Sequence, residues 1–177
     1  MENQLPTLDE RFVLVQQLNK GATAVVFMSL DKRTQTYVAV KVSHTDQISL
    51  AKEGQMMQKL DHPNCLKCIS YSSGNGNLVK NGQTIQNQMD YLAVDFMPGK
   101  DLFCYIQVGG PFHQEIVRTL FRDLVEAVGH VHSRQLVHLD LKLENIFVDN
   151  AYSIKLGDFG FSEKIAGHDG KGYFYNH

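Results

Sequence analysis

His138-Leu139-Asp140-Leu141-Lys142-Leu143-Glu144-Asn145, followed thirteen residues past Asn145 by Asp158-Phe159-Gly160, decides how this chain is read. A carboxylate, an amine and an amide stand at fixed spacing in a loop, and a second carboxylate follows a turn. Asn145 and Asp158 offer hard oxygen ligands of the kind that hold Mg²⁺ rather than zinc. Asp140 is left to face a hydroxyl, and Lys142 brings a cation close to the same point. Metal, base and cation gathered together are the ingredients that phosphoryl transfer requires.

Outward from that loop, residues 114–133 carry apolar side chains at spacings of three and four, from Ile116 and Val117 to Val128 and Val131. This predicts an amphipathic helix whose apolar set is wide enough to seek burial on more than one side. Pro111 precedes it and Ser133-Arg134 ends it. Ile146–Val148 and Ile154–Leu156 read as short strands around the turn Asp149-Asn150. On the N-terminal side, Phe12–Val15, Val25–Leu30 and Tyr37–Ser43 are β-branched runs separated by turn residues, which predicts an antiparallel meander. Residues 47–60 switch to helical spacing and stop at His62-Pro63-Asn64, because the residue before a proline is pushed out of the helical region. Two further strands are expected at 66–72 and 89–96. Between them, residues 78–85 read either as a hairpin extension turning at Asn81-Gly82, the preferred type I′ pair, or as an unpacked loop.

These segments together resemble the eukaryotic protein kinase family. His138 to Asn145 is similar to its catalytic loop, and Asp158-Phe159-Gly160 to its DFG motif. Val38-Ala39-Val40-Lys41 looks like the third-strand lysine motif, and Glu53 falls where the helix glutamate falls. Tyr91 to Leu102 looks like the fifth strand and hinge. The motifs stand in the family's order from about Arg11 to Gly160. The resemblance implies an α+β, bilobal fold with a five-stranded antiparallel N-lobe bearing one helix, and an incomplete, mainly helical C-lobe. The corresponding segments are an N-terminal extension at 1–10, the N-lobe at 11–96 and a partial C-lobe at 97–177 ending in the activation segment.

It also implies roles. Lys41 would hold the α- and β-phosphates of ATP and pair with Glu53. Asp140 would take or orient the substrate hydroxyl proton, and Lys142 would stabilise the γ-phosphate. Asn145 and Asp158 would ligate Mg²⁺. Val26, Ala39 and Phe147 would sandwich the adenine, under Leu18 and Gly21 of the loop above. The backbone at Asp95 and Met97 would bond its edge, Asp101 would approach the ribose, and Val94 would be a small gatekeeper. Lys142, two residues after Asp140, follows the serine/threonine pattern.

The chain departs from the family in three places. Leu18 to Val26 keeps only the middle glycine, Gly21. Asn19 tolerates positive φ, but Ala24 adds a methyl where backbone approaches phosphate, so nucleotide affinity is expected to fall modestly. Leu139 stands in place of the arginine that pairs with a phosphorylated activation loop. After Gly160 the hydroxyls are Ser162, Tyr173 and Tyr175. Activation by phosphorylation of that loop is therefore not expected. Finally, the chain reaches His177 without an A-P-E motif, so a truncated kinase is expected, with helix 114–133 left exposed as a face for association.

Composition bounds the rest. The 43% hydrophobic and 20% charged fractions are those of a folded protein. A net charge of -2 argues against a nucleic-acid or anionic-membrane surface. No run approaches a membrane span, and the polar start MENQLPTLDERF lacks the features of a secretory signal. Three cysteines read as free thiols of an intracellular protein, cytoplasmic or nuclear. Cys65-Leu66-Lys67-Cys68 has CxxC spacing. With Cys104 as the one further thiol, it reads as two small buried residues rather than a zinc site. The expected function is an ATP-dependent serine/threonine kinase core acting on a protein hydroxyl. The alternative is a nucleotide-binding interaction module, similar to a pseudokinase, without the substrate-binding half.

Overall fold

The computed structural model describes residues 5–21, 24–43 and 50–166. The chain divides into two compact units, residues 1–55 with 68–96 and residues 56–67 with 97–177.

The first unit is built on strands β1 (Thr7–Leu8), β2 (Phe12–Lys20), β3 (Ala24–Asp31), β4 (Thr36–Ser43), β5 (Cys68–Lys80) and β6 (Gln83–Asp95). They hydrogen-bond in the order β1-β2-β3-β4-β6-β5, and β1 pairs back onto β5, so the sheet closes into a barrel. Among the described residues this unit has six strands where five are expected. The additional one lies within the segment taken as an N-terminal extension. Thr7 pairs with both Val13 and Val79, and Leu8 with both Phe12 and Leu78. Closure removes the free sheet edges that invite unwanted strand pairing.

Alternation fills the barrel. Val38, Val40 and Val42 of β4 point inward with Leu8, Phe12, Leu14, Met89, Tyr91 and Ala93. Phe12 meets the Tyr91 ring edge-on at 5.8 Å. Arg11 and Asp31 form a two-pronged pair at 3.0 and 2.6 Å, with Asp31 wholly buried. Of the two readings of residues 78–85, the hairpin holds. Asn81 and Gly82 both take positive φ, 51° and 75°, as a type I′ turn demands. The strands run well past the expected limits, and register shifts interrupt β5 against β6.

Helix α1 (Leu50–Met57) is the described part of the helix expected at 47–60; residues 44–49 lie outside the described set. Its last turn tightens, with Lys59 N–H bonded to Met56 O and Leu60 N–H to Met57 O. Gly54 has a packing reason: a Cβ there would sit 2.5 Å from the Tyr71 ring.

The second unit holds α2 (Leu102–Gly109), α3 (Gln114–Ser133), the short strands β7 (Leu136–Val137), β8 (Ile146–Val148), β9 (Ile154–Leu156) and β10 (Glu163–Lys164), and a 3₁₀ turn at Leu143–Asn145. β8 pairs with β9 around Asp149, whose carboxylate accepts from Ala151 N and Ser153 N. β10 pairs with β7. α3 buries Ala127 and Val131 but leaves Ile116, Val117, Phe121 and Val125 exposed. Among the described residues, no helix is long and apolar enough to cross a membrane.

Candidate active site

In the first unit the site begins with strand register. Lys41 on β4 lies directly opposite Val26 on β3 and Leu92 on β6, and Ala39 lies opposite Met28 and Val94. Directly paired residues share a sheet face. Val26, Ala39, Lys41 and Val94 therefore stand together on the face opposite the barrel interior. The Lys41 ammonium donates to Glu53 Oε2 at 3.0 Å, with the Lys41 side chain 26% exposed and Glu53 5%. A carboxylate this buried needs a cation, and Lys41 supplies it. Leu18 is exposed near the end of β2. Gly21 closes the turn with its N–H on Ala24 O, while residues 22 and 23 lie outside the described set. Asp95 ends β6, paired with Val38.

In the second unit the loop after β7 gathers the other groups. Asn145, buried at 4% exposure, donates its side-chain amide to both Asp140 O and Asp140 Oδ2 at 2.9 Å. Lys142 Nζ lies 2.8 Å from Asp140 Oδ2. Burial opposes charge on Asp140, but the bonds from Lys142 and Asn145 prevail and hold its carboxyl below the usual range. The same contact with Asp140 raises Lys142. Both groups are therefore charged at neutral pH, and Asp140 is an acceptor.

His138 organises this loop, a role its place in the sequence motif does not reveal. Its Nδ1 accepts from Asp140 N at 3.2 Å, which leaves the ring proton on Nε2, 3.0 Å from Gly157 O. Burial lowers its basicity, so the neutral tautomer persists. Its ring meets the fully buried Phe159 at 4.8 Å. Gly157 N–H in turn bonds Asn145 O. Asp158, between Gly157 and Phe159, takes φ of 54°, a conformation that costs an L-residue energy and is held by these neighbours. The hard donors at Asn145 and Asp158 suit a divalent cation: with the Asn145 amide nitrogen turned to Asp140, its oxygen is the atom a cation would take. Among the described residues there is no cluster of His, Cys, Asp and Glu with metal-binding geometry.

Asp101 caps α2, accepting from Cys104 N at 2.8 Å. It also forms a backbone bridge to Phe147, which places these two predicted nucleotide contacts side by side. Met97 begins the second unit's later segment. Leu139 is 51% exposed at φ 64°. Ser162 is buried, its hydroxyl donating to His138 O, while Tyr173 and Tyr175 lie outside the described residues. Cys65, Cys68 and Cys104 are free, and burial pushes the Cys65 and Cys68 thiols up to about 11, far from a reactive thiolate.

A family model described as the protein kinase domain matches residues 12–175. Serine/threonine-protein kinase SIK1 of Mus musculus is 32% identical over 150 residues, 81% of this chain and 18% of that protein. Its namesake in Rattus norvegicus gives the same identity and coverage. Sperm motility kinase 3A of Mus musculus is 27% identical over 162 residues, 89% of this chain and 30% of that protein. The chain thus spans less than a third of the length of these relatives.

Proposed function

The chain belongs to the protein kinase family, and from that premise we propose that it carries the catalytic core of an ATP-dependent serine/threonine protein kinase. The cluster of Asp140, Lys142 and Asn145 carries this reading. In the proposed reaction a protein hydroxyl oxygen bonds to the γ-phosphorus as the bond to the bridging oxygen breaks, and ADP leaves. Asp140, ionised and fixed by Asn145, accepts the hydroxyl proton. Lys142, paired with Asp140, would meet charge on the transferred group. Lys41, aligned by Glu53, holds the α- and β-phosphates. By the family resemblance, Val26, Ala39, Val94 and Phe147, with Leu18 and Gly21, would contact the adenine, the backbone of Asp95 and Met97 would bond its edge, and Asp101 would add approach to the ribose to its capping role. Asn145 and Asp158 would hold Mg²⁺, which when bound neutralises phosphate charge. The protein works inside the cell, where its thiols stay reduced.

Phosphate transfer from ATP to a basic peptide, with Asp140→Asn as control, tests the assignment. Loss of the base should lower the rate by about 10²–10⁴-fold. Nucleotide-dependent thermal stabilisation without transfer would instead favour the binding-module reading. The exposed Ile116, Val117, Phe121 and Val125 favour that second reading as well, since they offer α3 a face for association.

The proposal extends to regulation. Leu139 brings no cation to receive a phosphate, and the Ser162 hydroxyl is turned inward onto His138 O. The triple variant Ser162→Ala, Tyr173→Phe, Tyr175→Phe should keep its transfer rate. A large loss on removing those hydroxyls would show that phosphorylation switches the enzyme on.

A further inference from the structure

Away from the active site, two histidines meet where the loop after α1 lies on α3. The rings of His62 and His130 are 5.1 Å apart, tilted by 31°. His130 Nε2 lies 3.2 Å from Asp61 N, and His62 Nδ1 lies 3.2 Å from Asn64 N. A backbone N–H can only donate, so each ring nitrogen accepts, and each imidazole must be neutral to do so. Protonation of either ring removes its acceptor. Protonation of both sets two like charges 5.1 Å apart.

The surrounding charges pull in both directions. Asp61 on the same loop favours an imidazolium at His130, as does the C-terminal end of α3. Against them stand partial burial, His62 and Arg134 one turn onward. Lys155 of β9 reaches the same loop, its ammonium donating to Pro63 O at 2.7 Å. Glu126, one turn earlier on α3, is exposed. Burial, then His62 and Arg134, outweigh Asp61 and lower the basicity of His130.

Apart from the Lys155 ammonium, which weak acid leaves charged, the rest of the loop is held by backbone and side-chain amides. Leu66 N–H bonds Leu156 O, Leu156 N–H bonds Asn64 O, and the Asn64 side chain donates to Ile154 O. Acid therefore has one point of attack, the Asp61-His62 end.

We propose that His62 and His130 form an acid-labile clasp, fastening the Asp61-His62 end of this loop to α3 while both imidazoles are neutral and releasing it when either is protonated. Residues 58–60 join the clasp to the end of α1, the helix that bears Glu53. Acid thus gains a handle on the terminal turn of that helix. The clasp stands on its own geometry, independent of the assigned activity.

The test is an NMR titration of the full chain from about pH 8 to about pH 5, the range in which imidazoles change charge. His130 should titrate below the ordinary imidazole value of about 6.5. The Asp61 amide resonance should follow the same midpoint while the Leu66 and Leu156 amides stay still. In His130→Gln, whose side-chain oxygen still accepts but does not titrate, the Asp61 amide should lose its pH response. An Asp61 amide indifferent to pH in the wild type would overturn the clasp. So would Asp61, Leu66 and Leu156 moving together, which would mean general acid unfolding. The wild-type reading decides the matter even if the variant fails to fold.

Discussion

Leu8 in the barrel and Phe121 on α3 are both large apolar residues, yet Leu8 is wholly buried and Phe121 is 63% exposed. The barrel gives each strand two hydrogen-bonded neighbours and encloses one face of each. The long helix of the second unit has β7 and β9 against one flank and covers Ala127 and Val131 there. Burial therefore stabilises the barrel, and Lys41 and Glu53 are set on a surface that packing holds. The groups around Asp140 depend more on polar contacts, through His138, Asn145 and Gly157. The Lys41–Glu53 pair and the Asp140 cluster, each within its own unit, should accordingly fail in different ways.

The sharpest break of that contrast is Leu8→Ala. It empties a fully enclosed site, and such truncations cost about 2–5 kcal/mol. Urea denaturation of the purified chain should show a loss in that range. A loss close to zero would mean that β1 is dispensable and the barrel is held without it. A smaller effect comes from Asp31→Asn, which removes the charge from a carboxylate bonded by Arg11 and by Arg33 N. Hydrogen bonds to charged groups contribute about 1.5–3 kcal/mol. The bonds from Arg11 hold the Asp31 carboxyl below its usual range despite burial. A carboxylate depressed in the folded state contributes stability above its unfolded value, about 3.9, and loses it as pH falls through the folded value. The wild type should therefore exceed Asp31→Asn in stability at neutral pH, and the gap should close in acid. A gap that does not change with pH would assign the effect to packing instead.

Much of this arrangement was legible in the sequence where a pattern repeats or a turn residue punctuates. The three-and-four spacing of α3 gave its limits, Gln114–Ser133, and the Asp149-Asn150 turn bounded β8 and β9. β1 was not legible because two residues carry no period, and its evidence lies in pairings with Val13 and Val79 far along the chain. The long β5–β6 hairpin was only half legible. Its turn pair stood out, but register shifts such as that between Ser72 and Gly76 break the alternation that marks a strand. α2 escaped as a separate helix because eight mostly apolar residues show little amphipathic contrast. In the candidate site the residue types were readable from spacing. The bond from Asp140 N to His138, the Asn145 amide on Asp140 and the capping by Asp101 are distances between atoms, and spacing does not contain them.

The smallest expected effect tests the other side of the contrast. Val125 is 54% exposed on the bare flank of α3, so Val125→Ala removes little buried area. Surface changes of this kind stay within about 0.5 kcal/mol, and alanine's better helix propensity offsets part of what is lost. Urea denaturation at low protein concentration should leave the midpoint unmoved. Measured again at high concentration, the same variant separates two states of the flank. If wild type gains stability with concentration and Val125→Ala gains less, the stripe is covered by another copy of the chain. If neither gains, the stripe stays wet in the isolated chain, and the stability measured there is that of the barrel and the short sheets without help from the outer face of α3.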